Sequence, residues 1–336
     1  MNGPLLSVVI IGRNEGSRLV RCLESVQAMD YPRENVRVIY VDSASTDGSV
    51  DAARRFGSAV IELKPLQPTA ALGRNAGWRI ADGEYVLFLD GDTVLHPGFV
   101  TEALKHLENP ETAIVWGHRR EIRPEISTYN RVLDLDWIYP PGFTEFCGGD
   151  ALVRRSVLHE VNGFDESLIA GEEPEMCRRI RALGYRILHI DHAMTGHDLA
   201  MTKWKQYWRR ATRAGHAYAE VSERFRNSSM PFWDEDASRN RKHALFLLLT
   251  LAAAVISSVY AESWWPASAW VCLFLLLAMR TAVKVKWKSS SSFTRFLYGI
   301  HSHLQQIPIF WGQVQYAQRK KHGAKQELIE YKGPAA

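Results

Sequence analysis

Four short apolar runs mark the N-terminal part of the chain: residues 5–11 (LLSVVII), 36–41 (VRVIYV), 59–63 (AVIEL) and 85–89 (YVLFL). Each has the length of a strand, and the unbroken apolar character of the first and last suits strands covered on both faces. Between them, residues 17–26, 48–56 and 72–81 are helical stretches. Strands alternating with helices on this scale predict βαβ units, a mostly parallel sheet and an α/β fold. Ligands of such sheets bind beyond the carboxyl ends of the strands. Polar residues collect there: Asn14 and Glu15 after the first run, Asp42 and Asp47 after the second, Asp90 and Asp92 after the last.

The pattern changes after Arg241. Residues 244–260 (ALFLLLTLAAAVISSVY) and 264–279 (WWPASAWVCLFLLLAM) carry no charge. Each approaches the roughly 20 residues needed to cross a bilayer. Arg239, Arg241 and Lys242 precede the first run, Lys284, Lys286 and Lys288 follow the second, and the turn between them has no Lys or Arg. By the positive-inside rule, this predicts a membrane hairpin with both ends on the cytoplasmic side. The expected organisation is a soluble domain over 1–235 and a membrane region over 236–336. The membrane region would hold transmembrane helices at 243–261 and 264–283, an interfacial or re-entrant helix at 294–317, and a basic cytoplasmic tail. That places the chain in the cytoplasmic membrane as a multi-pass protein, with its first domain facing the cytoplasm. Residues 5–11 are too short for a signal peptide and no basic residue precedes them, so no export signal is expected.

Residues 203–225 (KWKQYWRRATRAGHAYAEVSERF) place Trp204, Trp208, Ala211, Gly215, Tyr218, Val221 and Phe225 at helical spacing, with Lys203, Lys205, Arg209, Arg210 and Arg213 elsewhere. Two readings are balanced: a basic amphipathic helix lying on a bilayer, or an ordinary domain helix packed on the sheet.

Composition narrows the chemistry. The 336 residues carry 41 Lys and Arg against 37 Asp and Glu, a net charge of +4. That is too balanced for a surface built to grip nucleic acid. The 4 Cys form no CxxC pair, which argues against a zinc ribbon, iron–sulfur site or disulfide scaffold. No GxGxxG follows a strand and no GxxxxGK[ST] occurs, so neither a dinucleotide fold nor a P-loop is supported.

Asp90-Gly91-Asp92 is the sharpest chemical feature. Two carboxylates one residue apart after a buried strand suit a hard divalent cation, Mn²⁺ or Mg²⁺, shared with diphosphate oxygens. Taken alone, the same triplet also serves as an Asx turn or a helix cap. Its company is SVVIIGRNEGSRLVRCLESV, YVDSASTDGSV, GRNAGWRIADGEYVLFLDGDTVLHPGF and FCGGDALVRRSVLHEVNGFDESLIAGEEPEMCRRIRALGYRI. In order and spacing these segments resemble the family 2 glycosyltransferases of GT-A fold, over roughly residues 5–215.

The resemblance implies a role for each matching residue. Asp42 matches the acidic residue that contacts the base of a nucleoside diphosphate sugar, and Glu15 lies in the first nucleotide loop. Arg74 matches a position that approaches the nucleotide. Asp90 and Asp92 match the DxD motif, with Asp92 the direct metal ligand. Gly148 and Gly149 match the small-residue loop under donor sugar and acceptor. Glu172 and Glu173 match the Glu-Asp pair whose second member is the catalytic base. Glutamate stands in the second place here, and Glu172 is the rival. His197 matches the late histidine that completes the metal site, with His192 the weaker candidate. Gln206 to Arg210 partly resembles the QxxRW motif of processive synthases, with Arg210 where Trp would stand. Arg209 and Arg210 are therefore candidates for a donor or lipid diphosphate.

The expected activity is an inverting, metal-dependent transfer from a nucleotide sugar, UDP-linked, to a lipid-linked or glycan acceptor at the cytoplasmic membrane face. Exopolysaccharide or cell-envelope glycan synthesis is the setting. The alternatives are a processive polysaccharide synthase and a catalytically silent sugar-nucleotide-binding subunit.

Overall fold

The computed structural model of the chain describes residues 3–323, and the tail beyond Gly323 lies outside them. In chain order the elements are β1 (Leu6–Gly12), α1 (Ser17–Gln27), β2 (Val36–Ser43), α2 (Ser49–Arg55), β3 (Ala59–Leu63), α3 (Ala70–Ile80), β4 (Tyr85–Asp90) and β5 (Thr93–Leu95). There follow α4 (Phe99–Leu107), β6 (Thr112–Glu121), α5 (Thr128–Asp136), β7 (Gly142–Thr144), β8 (Ala151–Arg154), α6 (Arg155–Glu160), α7 (Glu172–Ala182) and β9 (Arg186–His197). The remainder is helical: α8 (Trp204–Phe225), α9 (Asp234–Tyr260), α10 (Trp265–Lys284), α11 (Ser292–Leu304) and α12 (Gln306–Lys321).

The chain forms two compact units. One runs to Arg123 and resumes over Trp137–Leu199; the other joins Pro124–Asp136 to the chain from Ala200 onward. The helix expected at 203–225 therefore groups with the C-terminal unit, and the division falls after Leu199 rather than near residue 235.

The first unit is a mixed α/β fold around one sheet of order β3-β2-β1-β4-β8-β6-β9-β5, with β7 on β9. β3, β2, β1 and β4 are mutually parallel, as their unbroken apolar runs predict. Beyond β4 the expectation of a mostly parallel sheet gives way to mixed pairing. β8 runs antiparallel to β4 and β6, and β9 runs parallel to β6 but antiparallel to β5 and β7. Val8, Val9, Ile10, Leu87, Phe88 and Leu89 are buried in the core. Helix α3 lies close on β1, since a Cβ on Gly77 would collide with Val9.

Register sets the functional end of the sheet. Gly12 is level with Asp42, and Ile11 with Asp90, so three carboxyl strand ends open side by side. The pairing of Thr93 with His197, and of Glu121 with the same histidine, brings the far half of the sheet to that end.

In the second unit, α9 and α10 are long and apolar enough to cross a membrane, with mean hydropathies of 2.0 and 1.6 over their most apolar stretches. Leu249, Ile256, Val259, Leu276 and Val283 on these helices are exposed, unlike the side chains of a soluble core helix. The single interfacial helix expected at 294–317 is two helices, broken at Gln305. Pro308 explains the break: it has no N–H to offer the carbonyl of Leu304, and its ring clashes there, so it sits in the first turn of a new helix. α8 buries Ala211, Thr212, Gly215 and Val221. A Cβ on Gly215 would strike the Ile309 carbonyl, and one on Gly312 that of Thr212, so α8 and α12 touch backbone to backbone. This face of α8 therefore packs on another helix of its own unit.

Candidate active site

The site of the first unit is built around Arg74. Thr69 caps α3 by accepting from the Leu72 amide at 3.3 Å, and Arg74 follows in the second turn. Its guanidinium is 2% exposed and is ringed by carboxylates. Asp90 lies at 2.9 Å, Glu172 at 3.0 Å and Glu173 at 2.9 Å. Burial alone would weaken its charge, but Glu173, Asp90 and Glu172 outweigh that and hold it firmly protonated.

Glu172 and Glu173 open α7, whose N-terminus is reached through Gly171 at φ 85°, a left-handed turn that glycine adopts without strain. The helix end favours both negative charges. Their surroundings differ. The Glu172 side chain is 5% exposed and that of Glu173 is 18% exposed, so Glu173 is the one an incoming molecule can reach. Burial, reinforced by the charge of Glu172 and opposed by Arg74, pushes the Glu173 carboxyl up to about 7.

Gly149 shows why the loop before β8 must be small. A Cβ there would lie 2.5 Å from Arg74 Nη2 and 3.0 Å from Asp90 Oδ2, inside the ion pair. At Gly148 the nearest atom to such a Cβ is Arg119 Nη1, at an ordinary 3.8 Å.

Asp92 occupies a different environment from Asp90. Its backbone carbonyl accepts from the Asp198 amide at 3.0 Å, and its Oδ2 lies 3.4 Å from His197 Nε2. Both side chains are buried. Glu121 approaches the other ring nitrogen of His197 at 3.8 Å, and the Trp137 ring meets the imidazole edge-on at 4.8 Å. Asp92 and His197 form an oxygen and nitrogen donor pair that fits a divalent cation such as Mn²⁺. Asp90, expected beside them as a ligand, pairs with Arg74 and, at 3.6 Å, with Arg119. Among the described residues no three His, Cys, Asp or Glu side chains converge as a metal site, so this pair leaves most of a cation's coordination to other oxygens. His192 is not part of the pair; its ring meets His96 at 5.4 Å.

The residues expected on the nucleotide side are held in place too. Asp42 is buried, accepting from Tyr40 Oη at 3.0 Å and from the Ser45 amide at 2.8 Å. Glu15 pairs with Arg18 at 2.9 Å and packs its chain where a Cβ on Gly12 or Gly91 would be crowded, at 3.1 Å in each case. Arg209 and Arg210 lie on α8 in the second unit.

Sequence reasoning passed over several participants. Asp150 is fully buried: it accepts from the Asp90 amide at 3.0 Å and from Thr195 Oγ1 at 2.8 Å, with Arg119 at 3.9 Å. Burial raises its carboxyl above the usual range, against the pull of Arg119. Its place after two glycines and before a strand was the available signal. Arg119 itself stacks over Trp137 at 5.0 Å, and Asp198 is clasped by Arg21 and Arg123, both at 2.7 Å. Nothing local in the sequence marks these.

Comparison with known proteins decides the family. The model of glycosyl transferase family 2 matches residues 7–161, and that of glycosyl transferase family group 2 matches residues 85–285, more than half of the chain. The chain belongs to the family 2 glycosyltransferases. It is 26% identical over 200 residues to glycosyltransferase AglE of Haloferax volcanii, covering 55% of this chain and 64% of that protein. It is 28% identical over 206 residues to the pre-mycofactocin glycosyltransferase of Mycobacterium tuberculosis, covering 57% of this chain and 42% of that one. The chain thus spans less than two thirds of the length of either relative. In fold it resembles mannosyltransferase PcManGT from Pyrobaculum calidifontis, solved with GDP-Man and Mn²⁺, at a TM-score of 0.67 and 21% identity over 94% of this chain and 88% of that one. Family and fold agree: the chain is a member of the family 2 glycosyltransferases with a GT-A-like fold.

Proposed function

We propose that the chain is an inverting glycosyltransferase that moves a sugar from a nucleotide sugar, UDP-linked, to a lipid-linked saccharide acceptor at the cytoplasmic face of a membrane, in envelope glycan or exopolysaccharide synthesis. One observation carries the reading: Arg74 gathers Asp90 of the DGD triplet and Glu173 of α7 onto a single guanidinium. The carboxylates read as donor-side and acceptor-side thus share one buried cation.

The chemistry follows from that arrangement. The acceptor hydroxyl oxygen attacks the anomeric carbon while the bond from that carbon to the diphosphate oxygen breaks. Glu173 Oε takes the hydroxyl proton, and the nucleoside diphosphate departs with the bonding pair. A carboxyl held near 7 is well matched to that task around neutral pH. Attack opposite the leaving group inverts the anomeric centre, so an α-linked donor yields a β-linked product. Glu172 and Arg74 fix the position of Glu173, and Gly149 leaves room for the Arg74–Asp90 ion pair. Asp42 and Glu15 line the nucleotide side. A Mn²⁺ or Mg²⁺ ion held by Asp92 and His197 would neutralise charge on the leaving diphosphate. α9 and α10 favour this acceptor class, because anchoring a transferase serves a substrate that is itself in the bilayer.

The test is transfer by the detergent-purified chain with Mn²⁺, using a panel of nucleotide sugars and polyprenyl diphosphate-linked acceptors. Glycosylated lipid from one donor supports the reading. Donor binding without transfer to any acceptor would leave only a sugar-nucleotide-binding protein.

A further inference from the structure

The second unit carries a polar cavity that the transfer reaction does not use. It encloses about 460 Å³ among α8, α9 and α12, and its walls include Arg226, Arg241, Lys320 and Lys321 beside Glu223 and Asp234. Two of the four cations are already matched: Arg226 pairs with Asp234 at 3.0 Å, and Lys320 pairs with Glu223. Arg241 and Lys321 have no carboxylate partner among the described residues. The cavity therefore keeps two positive charges in excess, which suits a phosphate group.

A second observation defines the rest of the ligand. Gln313 lines the same cavity and is 6% exposed. Its amide nitrogen donates to the Ala237 carbonyl at 3.1 Å, and its Oε1 has no hydrogen-bond partner. An amide whose nitrogen must face a carbonyl cannot turn over, so the orphan is an acceptor that calls for a donor, such as a hydroxyl. An unsatisfied buried acceptor is costly until such a donor arrives.

Location supplies the source. Arg241 precedes the uncharged run that begins at Ala244 by three residues, about 4.5 Å along a helix axis. On a spanning helix, that is where headgroup phosphates lie. We propose that this cavity binds the phosphodiester of an anionic membrane lipid with a hydroxyl-bearing headgroup, of the phosphatidylglycerol type. Arg241 and Lys321 take the phosphate and Gln313 Oε1 accepts from the headgroup hydroxyl. The proposal rests on α9 and α10 crossing the membrane and not on the transferase chemistry.

Native mass spectrometry of the full chain in detergent tests it, titrating phosphatidylglycerol, phosphatidylmethanol, phosphatidylcholine, inorganic phosphate and glycerol phosphate. Phosphatidylmethanol carries the same charge without a headgroup hydroxyl. The expected result is binding of phosphatidylglycerol at least tenfold tighter than of phosphatidylcholine, and measurably tighter than of phosphatidylmethanol. R241Q/K321Q should remove the preference for anionic lipid, and Q313L should equalise phosphatidylglycerol and phosphatidylmethanol. Arg241 and Lys321 are exposed, so their double variant remains informative even if Q313L does not fold. Equal binding of phosphatidylglycerol and phosphatidylcholine, or binding indifferent to R241Q/K321Q, overturns the proposal. Inorganic or glycerol phosphate binding as tightly as the lipid overturns the lipid source in favour of a soluble phosphate. Loss of the chain from membranes on carbonate washing would remove the spanning reading itself; retention without lipid preference removes only this proposal.

Discussion

Arg74 and Glu173, 99 positions apart in the sequence, meet at 2.9 Å at the functional end of the sheet. The same guanidinium holds Asp90 and Glu172, so three carboxylates share one buried cation. Removing the cation strands the carboxylates. Arg74→Ala should therefore lower unfolding stability by about 3–5 kcal/mol, the loss typical of breaking a buried ion pair. Arg74→Lys should recover only part of it, because an ammonium lacks the planar fork that spans three partners. Unfolding midpoints of the detergent-purified variants check this, and an R74A midpoint equal to wild type would contradict it.

The pH profile reports on Glu173. Its carboxyl is pushed up to about 7, by burial first and then by Glu172. A general base works only when ionised, so kcat/KM, which reports the free enzyme, should rise with pH through about 7 and then level off. Glu172→Gln removes a negative charge beside it, which favours ionisation, so the inflection should move to lower pH. An inflection that stays put or moves up would show that another group titrates.

Gly149 and Gly148 make an internal control. Gly149→Ala puts a methyl 2.5 Å from Arg74 and 3.0 Å from Asp90, while at Gly148 the nearest contact is an ordinary 3.8 Å. A displacement of about 1 Å at a reacting group costs on the order of a hundredfold. Gly149→Ala should lose about that much kcat and Gly148→Ala far less. Equal losses would mean that the loop acts through something other than the Arg74–Asp90 pair.

Asp92 and His197 set the cation requirement. Asp92→Asn and His197→Ala should each raise the Mn²⁺ concentration for half-maximal rate by at least about tenfold, the loss typical even of residues that only support a ligand. Asp90→Asn should act more on stability, because its carboxylate is held by Arg74 and Arg119. A rate independent of added Mn²⁺ or Mg²⁺ in the chelator-treated wild type would remove the cation from the account.

The part of this site that could be read from the sequence lies on the parallel strands. Runs such as LLSVVII and YVLFL read as covered strands, and the polar residues that follow them, Glu15 and Asp90, fall at one edge of the sheet. Arg74, Glu172 and Glu173 were legible through motif order. Asp150 and Arg119 were not, because their contacts depend on β8 and β6 running antiparallel, which no local periodicity announces. The second unit shows the same limit. Asp136 joins it through Tyr298 at 3.0 Å and His301 at 3.2 Å, more than 160 residues away, whereas the break at Gln305 could have been foreseen from Pro308.

Replacing the reachable carboxyl by its neutral isostere is the most direct measurement. For Glu173→Gln, the account predicts a kcat about 10²–10⁴-fold lower, the usual contribution of a positioned base, with nucleotide-sugar affinity retained. Turnover unchanged at saturating donor and acceptor would contradict it.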